Sequence, residues 1–434
     1  MSLPQELIDT IIDIVQDDAH TLQQCSLVST AFLTRAQKHL FREITLSSSH
    51  LTRPTRLTHL LAESPHLTDA ISSLHIIERK RKRSKRNPTG TNGWLQSDNS
   101  HLGPVLSKLP SLKELMLECA DCISWTSLAS NTRHALEQSV FATGGLVRLI
   151  LDSIFDVPYH LFENLSSLQE LTLKNGSILG PDLIASKVDG AKGPLMVVRR
   201  QSKARLRRLH ISGYVFEPMQ EFIEWMLRED ISWVDLSGLE YFTLLFQYDS
   251  GAALGDQVDV INSVVQRCSK SLKEMHVIPS LAGLDEHGHT SRIPLHFPSL
   301  PRLQTIHLTL EISDYELGAL NPNYRWFKAC INALQGQKSG VDQLQNIYTK
   351  CNVVQGNPVI AFDPGFWKDI EGMLSAPSFR SVRKIKMALN PVFGFDDRLI
   401  DVCGMVEQEM KALKEKGILE VAVDLTDHEQ MKCF

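Results

Sequence analysis

The clearest periodicity in the chain is a short apolar frame, Leu-x-x-Leu-x-Leu with Ile, Val or Met allowed. It stands at Leu112-Leu115-Leu117, Leu146-Leu149-Leu151, Leu168-Leu171-Leu173, Leu206-Leu209-Ile211, Leu272-Met275-Val277, Leu303-Ile306-Leu308 and Val382-Ile385-Met387. Weaker copies begin at Ile71, Ile231 and Ile418, and a similar turn precedes several: Leu109-Pro110-Ser111, Leu165-Ser166-Ser167, Phe297-Pro298-Ser299 and Ala376-Pro377-Ser378. Side chains of a strand change side with period two, so the frame residues share one face and the residues between them the other. One such strand cannot bury its own apolar face and needs its neighbours, which is the logic of a repeat array. Helical spacing predicts outer helices at Glu221–Arg228, Val258–Cys268, Tyr324–Leu334 and Arg398–Lys416. The last carries Leu399, Val402, Val406, Met410 and Leu413 on one stripe, with Gly417 as a stop and Ile418–Asp424 as a final strand.

Residues 3 to 44 follow a different period, legible as three short helices. In the first, Pro4 suits the opening turn and Leu7, Ile11, Ile14 and Val15 follow helical spacing. Thr21 is placed to cap a second helix carrying Leu22 and Cys25, and Ser29 a third carrying Phe32, Ala36 and Leu40. A unit of roughly 40 residues is near the lower limit for a self-sufficient core. The apolar residues left over, Leu3, Ile8, Phe32 and Phe41, therefore call for a partner protein to cover them.

The order Leu3-Pro4-x-Glu6-Leu7, Ile11, Ile14, Leu22, Cys25, Leu27-Val28-Ser29, Phe32, Leu40-Phe41 resembles the F-box family, with Phe32 where Trp is more usual. The apolar frames resemble leucine-rich repeats, in a degenerate form. Their starts lie about 22 to 41 residues apart, with a longer gap between 303 and 382, against a usual length of about 20 to 29. The expected fold class is α+β to α/β: a three-helix F-box followed by an irregular leucine-rich-repeat solenoid, parallel strands on the concave side and helices behind. The expected domains are 1–46 for the adaptor-binding module, 47–78 for a linker and first repeat, 79–100 for a basic loop insertion and 101–434 for the repeats.

The F-box resemblance implies docking onto a Skp-type adaptor, and through it a cullin-RING ligase, by Leu3, Pro4, Leu7, Ile8, Ile11, Leu27, Val28, Phe32, Leu40 and Phe41. The chain would then be the substrate-recognition subunit of a ubiquitin ligase, holding a protein substrate and catalysing nothing itself. The alternative is an interaction scaffold or nuclear regulator that uses the repeats and the basic loop. On the concave face the central column of the repeats reads Met116, Ile150, Thr172, His210, His276, His307 and Lys386. Beside it run Glu114, Arg148, Glu170, Arg208, Glu274 and Lys384. Adjacent strands lie about 4.8 Å apart, so His276 and His307 become near neighbours if their repeats are consecutive, able to meet an acidic or phosphorylated ligand or to sense pH.

Composition changes this picture little. With 45 Lys plus Arg against 50 Asp plus Glu, the net charge of -5 provides no global field toward nucleic acid or an anionic membrane. The chain shows no run of about 18 apolar residues and no cationic leader, which reads as a soluble protein of cytoplasm or nucleus. The basic run 79–86 is a solvated loop in which Lys80, Arg81, Lys82 and Arg83 form a nuclear-import candidate. No aromatic residue interleaves it, which disfavours nucleic-acid binding.

The eight cysteines are too dispersed for a disulfide scaffold and read as reduced, mostly buried thiols, Cys119-Ala-Asp-Cys122 among them. Asp285-Glu-His-Gly-His289 has metal-ligand chemistry but no local group to complete a set, so neither metal nor other cofactor is expected. The chain contains no nucleophile elbow, phosphate-cradling glycine loop or His-Glu-x-x-His helix, so an enzymatic reading has no positive support.

Overall fold

The computed structural model describes residues 3–79, 93–179, 203–213, 217–228, 232–246, 254–278, 297, 299–312, 322–336, 343–353, 363–391 and 398–424. They fall into two compact units. The first runs to Leu206 and takes in the stretch ending at Val234; the second holds the Arg207–Glu229 stretch and everything from Asp235 onward.

The first unit opens with α1 (Gln5–Ile14), α2 (Ala19–Val28) and α3 (Thr30–Leu40). Their shared core is Ile12, Leu22 and Ala36, with Val15, Cys25, Phe32 and Leu40 packed around it. Asp18, rather than Thr21, caps α2: its carboxylate accepts the Thr21 N–H at 3.1 Å and the Thr21 hydroxyl at 2.6 Å. Ser29 does stand at the cap position of α3, without a side-chain cap bond. A polar clamp joins α1 to α3. The Arg35 guanidinium grips Asp13 through two bonds of 2.7 and 2.6 Å, and His39 reaches the same carboxylate at 2.7 Å. Arg35 first, then His39, hold the Asp13 carboxyl well below the usual carboxylate range.

Five parallel strands follow in chain order across the first unit: β1 (Glu43–Ser47), β2 (Ser73–Glu78), β3 (Glu114–Ser124), β4 (Arg148–Phe155) and β5 (Glu170–Lys174). β1 straddles residue 46, where the expected boundary of the helical module fell. Parallel neighbours need a crossover between them; here α4 (Arg53–Glu63), α5 (Leu102–Leu106), α6 (Ser130–Ala135) and single helical turns supply it. An aromatic run, Trp125 on Phe141 on Phe162 on Trp233, packs edge-on or tilted at centroid separations of 5.9, 6.5 and 5.7 Å.

The second unit carries seven parallel strands, again in chain order: β6 (Arg208–Gly213), β7 (Tyr241–Phe246), β8 (Glu274–Ile278), β9 (Thr305–Ile312), β10 (Asn346–Val353), β11 (Lys384–Pro391) and β12 (Leu419–Val423). Its helices are α7 (Glu217–Leu227), α8 (Leu254–Cys268), α9 (Pro322–Gln335), α10 (Pro364–Leu374), α11 (Arg398–Glu409) and α12 (Lys411–Glu415). The expected Arg398–Lys416 helix is thus two helices, broken where Met410 leaves helical backbone at φ -104°, ψ 37°. Its stripe of Leu399, Val402, Val406, Met410 and Leu413 is buried throughout, and Gly417 ends it at φ +71°.

Every residue of the seven expected frames is buried. Two further frames emerge. Leu239-Phe242-Leu244 serves β7, in place of the frame expected at Ile231, where the described strand is only the two residues Val234–Asp235. Leu344-Ile347-Thr349 serves β10, inside the apparent gap between 303 and 382. Thr349 occupies the third frame position with its hydroxyl buried and unpaired, so a purely apolar pattern does not register it.

One backbone device recurs at the strand entries. The Arg42 carbonyl accepts the N–H groups of Ser72 and Ser73, and the Ser72, Lys113 and Val147 carbonyls take the next pairs in turn. In the second unit the carbonyls of Arg207, Glu240, Lys273, Gln304 and Gln345 do the same for the strand that follows each, at 2.8–3.1 Å. Each carbonyl uses both lone pairs, and the register of successive strands is fixed before their ladders begin.

The chemistry of the fold is otherwise plain. The seven described cysteines are free thiols, and Cys119 is buried as expected whereas Cys122 is exposed on the bulge between Glu118 and Ile123. No helix among the described residues is long and apolar enough to cross a membrane.

Leu149→Ala, at a fully buried frame position, is expected to cost about 2–5 kcal/mol. Arg148→Ala, one residue away on the other face, should stay within about 1 kcal/mol. Chemical denaturation of both variants checks the inside-outside assignment of β4.

Candidate functional site

Two surfaces concentrate the candidate residues, one in each unit. On the three-helix bundle, Leu3, Leu7, Ile11 and Ile14 stand exposed along α1, and Leu27 and Val28 at the end of α2, the last two at 80% and 71%. Leu3, Leu7, Ile11 and Ile14 recur at helical spacing and lie on one side of α1. Gln5 Nε2 donates to the Ala31 carbonyl at 2.9 Å, which brings the start of α1 beside the α2–α3 junction and so beside Leu27 and Val28. Six large aliphatic side chains in water on so small a unit form an apolar surface that folding itself leaves uncovered.

One sequence assignment is corrected here. Ile8, expected on the docking surface, is 7% exposed and belongs to the interior with Ile12. Leu7, Ile11 and Ile14, which share helical spacing, lie on the outer side of α1; Ile14 is 79% exposed. In a helix with apolar residues at 7, 8, 11, 12, 14 and 15, two stripes one position apart are available. The stripe of Ile8 and Ile12 is the one turned inward, Ile12 packing with Leu22 and Ala36, and the same rotation turns Asp13 toward Arg35 and His39. Of the other expected contact residues, Pro4 is exposed, while Phe32, Leu40 and Phe41 are half-buried, with Phe32 and Leu40 packed against the bundle core.

The second surface is the face of each sheet opposite the buried frames. In the first unit His75, Met116, Ile150 and Thr172 stand in register as a row. In the second, the row is His210, Thr243, His276, His307, Tyr348, Lys386 and Glu420. His276 and His307 are neighbours as expected; His210 is one strand further, with Thr243 between. Thr243, Tyr348, Glu420 and His75 were missed: the first two lie on the overlooked frames, the others on the weak ones.

Three rings stack along this row. The imidazoles of His276 and His307 lie 4.8 Å apart between centroids and His307 lies 4.6 Å from Tyr348, at interplanar angles of 33° and 22°. The flanking charges pair from strand to strand: His307 with Glu274 at 3.3 Å, Lys384 and Lys386 with Glu420 at 2.8 and 3.7 Å, and Arg208 over the Tyr241 ring at 4.2 Å. Burial, then the nearby His307 and His210 and the charge of Lys350, push His276 down to about 3. His307 is likewise lowered by burial, with Glu274 opposing. At neutral pH His276 is therefore an uncharged ring, and an acidic ligand finds its cations at Lys350 and Lys386 instead.

Among the described residues no three His, Cys, Asp or Glu side chains gather to hold a metal. The nuclear-import candidate Lys80, Arg81, Lys82 and Arg83, the Asp285–His289 segment and Cys433 lie outside the described residues. Glu78 and the backbone at Trp94 and Leu95 mark where the chain leaves and rejoins around the basic run: the Glu78 carboxylate accepts both N–H groups and the Cys119 thiol. No protein-family model matches the chain, and no curated protein matches it. The class defined by the structure is a mixed α/β protein whose parallel strands follow chain order behind a three-helix bundle.

The depressed His276 has a consequence for stability. The unfolded imidazole takes up a proton near its ordinary value of 6.5, whereas the folded one resists until about 3. Stability is therefore full above pH 6.5 and declines as pH falls through this window. Urea unfolding at pH 7, 5 and 4 should show the decline, and His276→Gln should make it shallower.

Proposed function

We propose that the three-helix bundle is an F-box-like docking module for a Skp-type adaptor, and that the chain is the substrate-recognition subunit of a cullin-RING ubiquitin ligase. The observation that carries this reading is the exposed aliphatic surface of Leu3, Leu7, Ile11, Ile14, Leu27 and Val28. Burial of apolar area is the main favourable term in protein association, and a contiguous patch of this kind rewards a partner helix or groove. The sequence order that resembles an F-box, from Leu3-Pro4 to Leu40-Phe41, supplies the identity of the partner. The parallel strands with their buried Leu-x-x-Leu-x-Leu frames are read as degenerate leucine-rich repeats, and the open row through His276, His307, Tyr348 and Lys386 as the surface that meets a protein substrate.

In this reading the chain contributes no chemistry of its own. Holding a substrate lysine near a ubiquitin-charged enzyme raises its effective concentration, and the other subunits transfer the ubiquitin.

Leu7→Asp and Leu27→Asp change residues that are already exposed, so the bundle keeps its core and only docking is challenged. Each should cost roughly 2 kcal/mol or more of adaptor affinity, about thirtyfold in Kd. Co-purification with a Skp-type adaptor, followed by titration of the purified pair, measures it. An intact chain that never retains the adaptor overturns the reading.

A further inference from the structure

A second feature of the bundle is polar and independent of the docking face. At 3.6 residues per turn, Asp13 is rotated by about 120° around α1 from Leu7, and on that side a hollow of about 450 Å³ opens between α1, α3 and the turn that leads into β2. Arg35, Lys38, His39 and Arg42 follow one another at helical spacing of three and four, so α3 and its end direct four basic groups into one place. Asp13 takes up two of them, Arg35 and His39, in the clamp described above. Lys38 and Arg42 are exposed, line the same hollow and carry no ion pair among the described residues.

The opposite wall is Asp69, Ala70 and Ser72. The Ser72 hydroxyl donates to the Arg42 carbonyl at 3.4 Å, a long bond that it can exchange for an acceptor in the hollow, and that carbonyl already accepts the Ser72 and Ser73 N–H groups. Asp69 accepts the Ser111 hydroxyl at 3.4 Å and puts one carboxylate on the rim. A ligand with a single negative charge gains little from two cations against that carboxylate. A phosphate monoester carries about -1.5 to -2 charges at pH 7 and three acceptor oxygens, which match a lysine, an arginine and a hydroxyl.

We propose that this hollow binds a tetrahedral oxyanion of the phosphate-monoester class, held by Lys38 and Arg42 with Ser72 as hydroxyl donor. The oxyanion comes either from a phosphorylated side chain of a bound protein or from free phosphate. Because the hollow lies away from Leu7 and Ile11, occupancy does not require the adaptor and does not compete with it.

The test titrates the full chain calorimetrically with inorganic phosphate, with a short phosphoserine peptide and with the same peptide unphosphorylated. Saturable binding of phosphate or phosphopeptide that weakens with salt is expected, with no binding of the unphosphorylated peptide. The pair Lys38→Gln and Arg42→Gln should lose at least about tenfold in affinity. The control pair Lys411→Gln and Lys416→Gln, exposed in the other unit and outside both candidate surfaces, should bind as the parent does. Circular dichroism and the melting temperature verify that both pairs fold. Tighter binding of the phosphopeptide identifies a modified protein as the source; equal binding identifies the free ion. Absence of saturable binding, or full retention of it in the Lys38/Arg42 pair, overturns the proposal.

Discussion

The architecture depends on one repeated backbone contact, a carbonyl at the entry of nine of the described strands that accepts two consecutive N–H groups at the entry of the strand that follows. It costs the chain nothing in side-chain identity, so it survives the irregular spacing of the frames. By fixing register at the start of each parallel pair it sets every frame residue opposite its counterpart, Leu115 beside Leu149 and Leu149 beside Leu171. The buried face then forms a continuous apolar layer within each unit, which is what lets strands of five to eleven residues persist.

The same register builds the open face. Residues that alternate with the frame have no choice but to line up, and so His276, His307 and Tyr348 meet ring to ring. Burial in this row, and after it the neighbouring imidazoles, hold His276 uncharged well below the pH at which a lone surface histidine takes up its proton, so the ring row is an aromatic strip with lysines beyond it. Around it, Glu274, Lys384 and Glu420 pair across strands and leave the surface close to electrically balanced.

At the other end of the chain the polar clamp of Asp13, Arg35 and His39 joins α1 to α3. It forms with Ile8 and Ile12 turned inward and Leu7, Ile11 and Ile14 outward as the apolar surface read as the docking face. It also lies on the side where α3's basic residues surround the hollow that Lys38 and Arg42 share. The unit of three short helices thus carries an apolar surface on one side and a polar one on another.

The frames built from Leu, Ile, Val or Met were legible from residue 112 to 387 because burial of one strand face demands that alternation, and the helices at 254–268 and 322–335 follow from length and periodicity, whereas the helix at 364–374 was not foreseen. Frames with Phe242 or Thr349 were not legible, since a frame of Leu, Ile, Val and Met excludes an aromatic ring or a lone hydroxyl, both of which tertiary packing accepts there. For the bundle, the amino-acid order alone determined that three amphipathic helices exist and that their apolar residues exceed what their own core can hold. Only the tertiary structure decided which stripe of α1 is inside, because two stripes one residue apart are both apolar and the choice rests on how Ile12 packs with Leu22 and Ala36 of the other two helices.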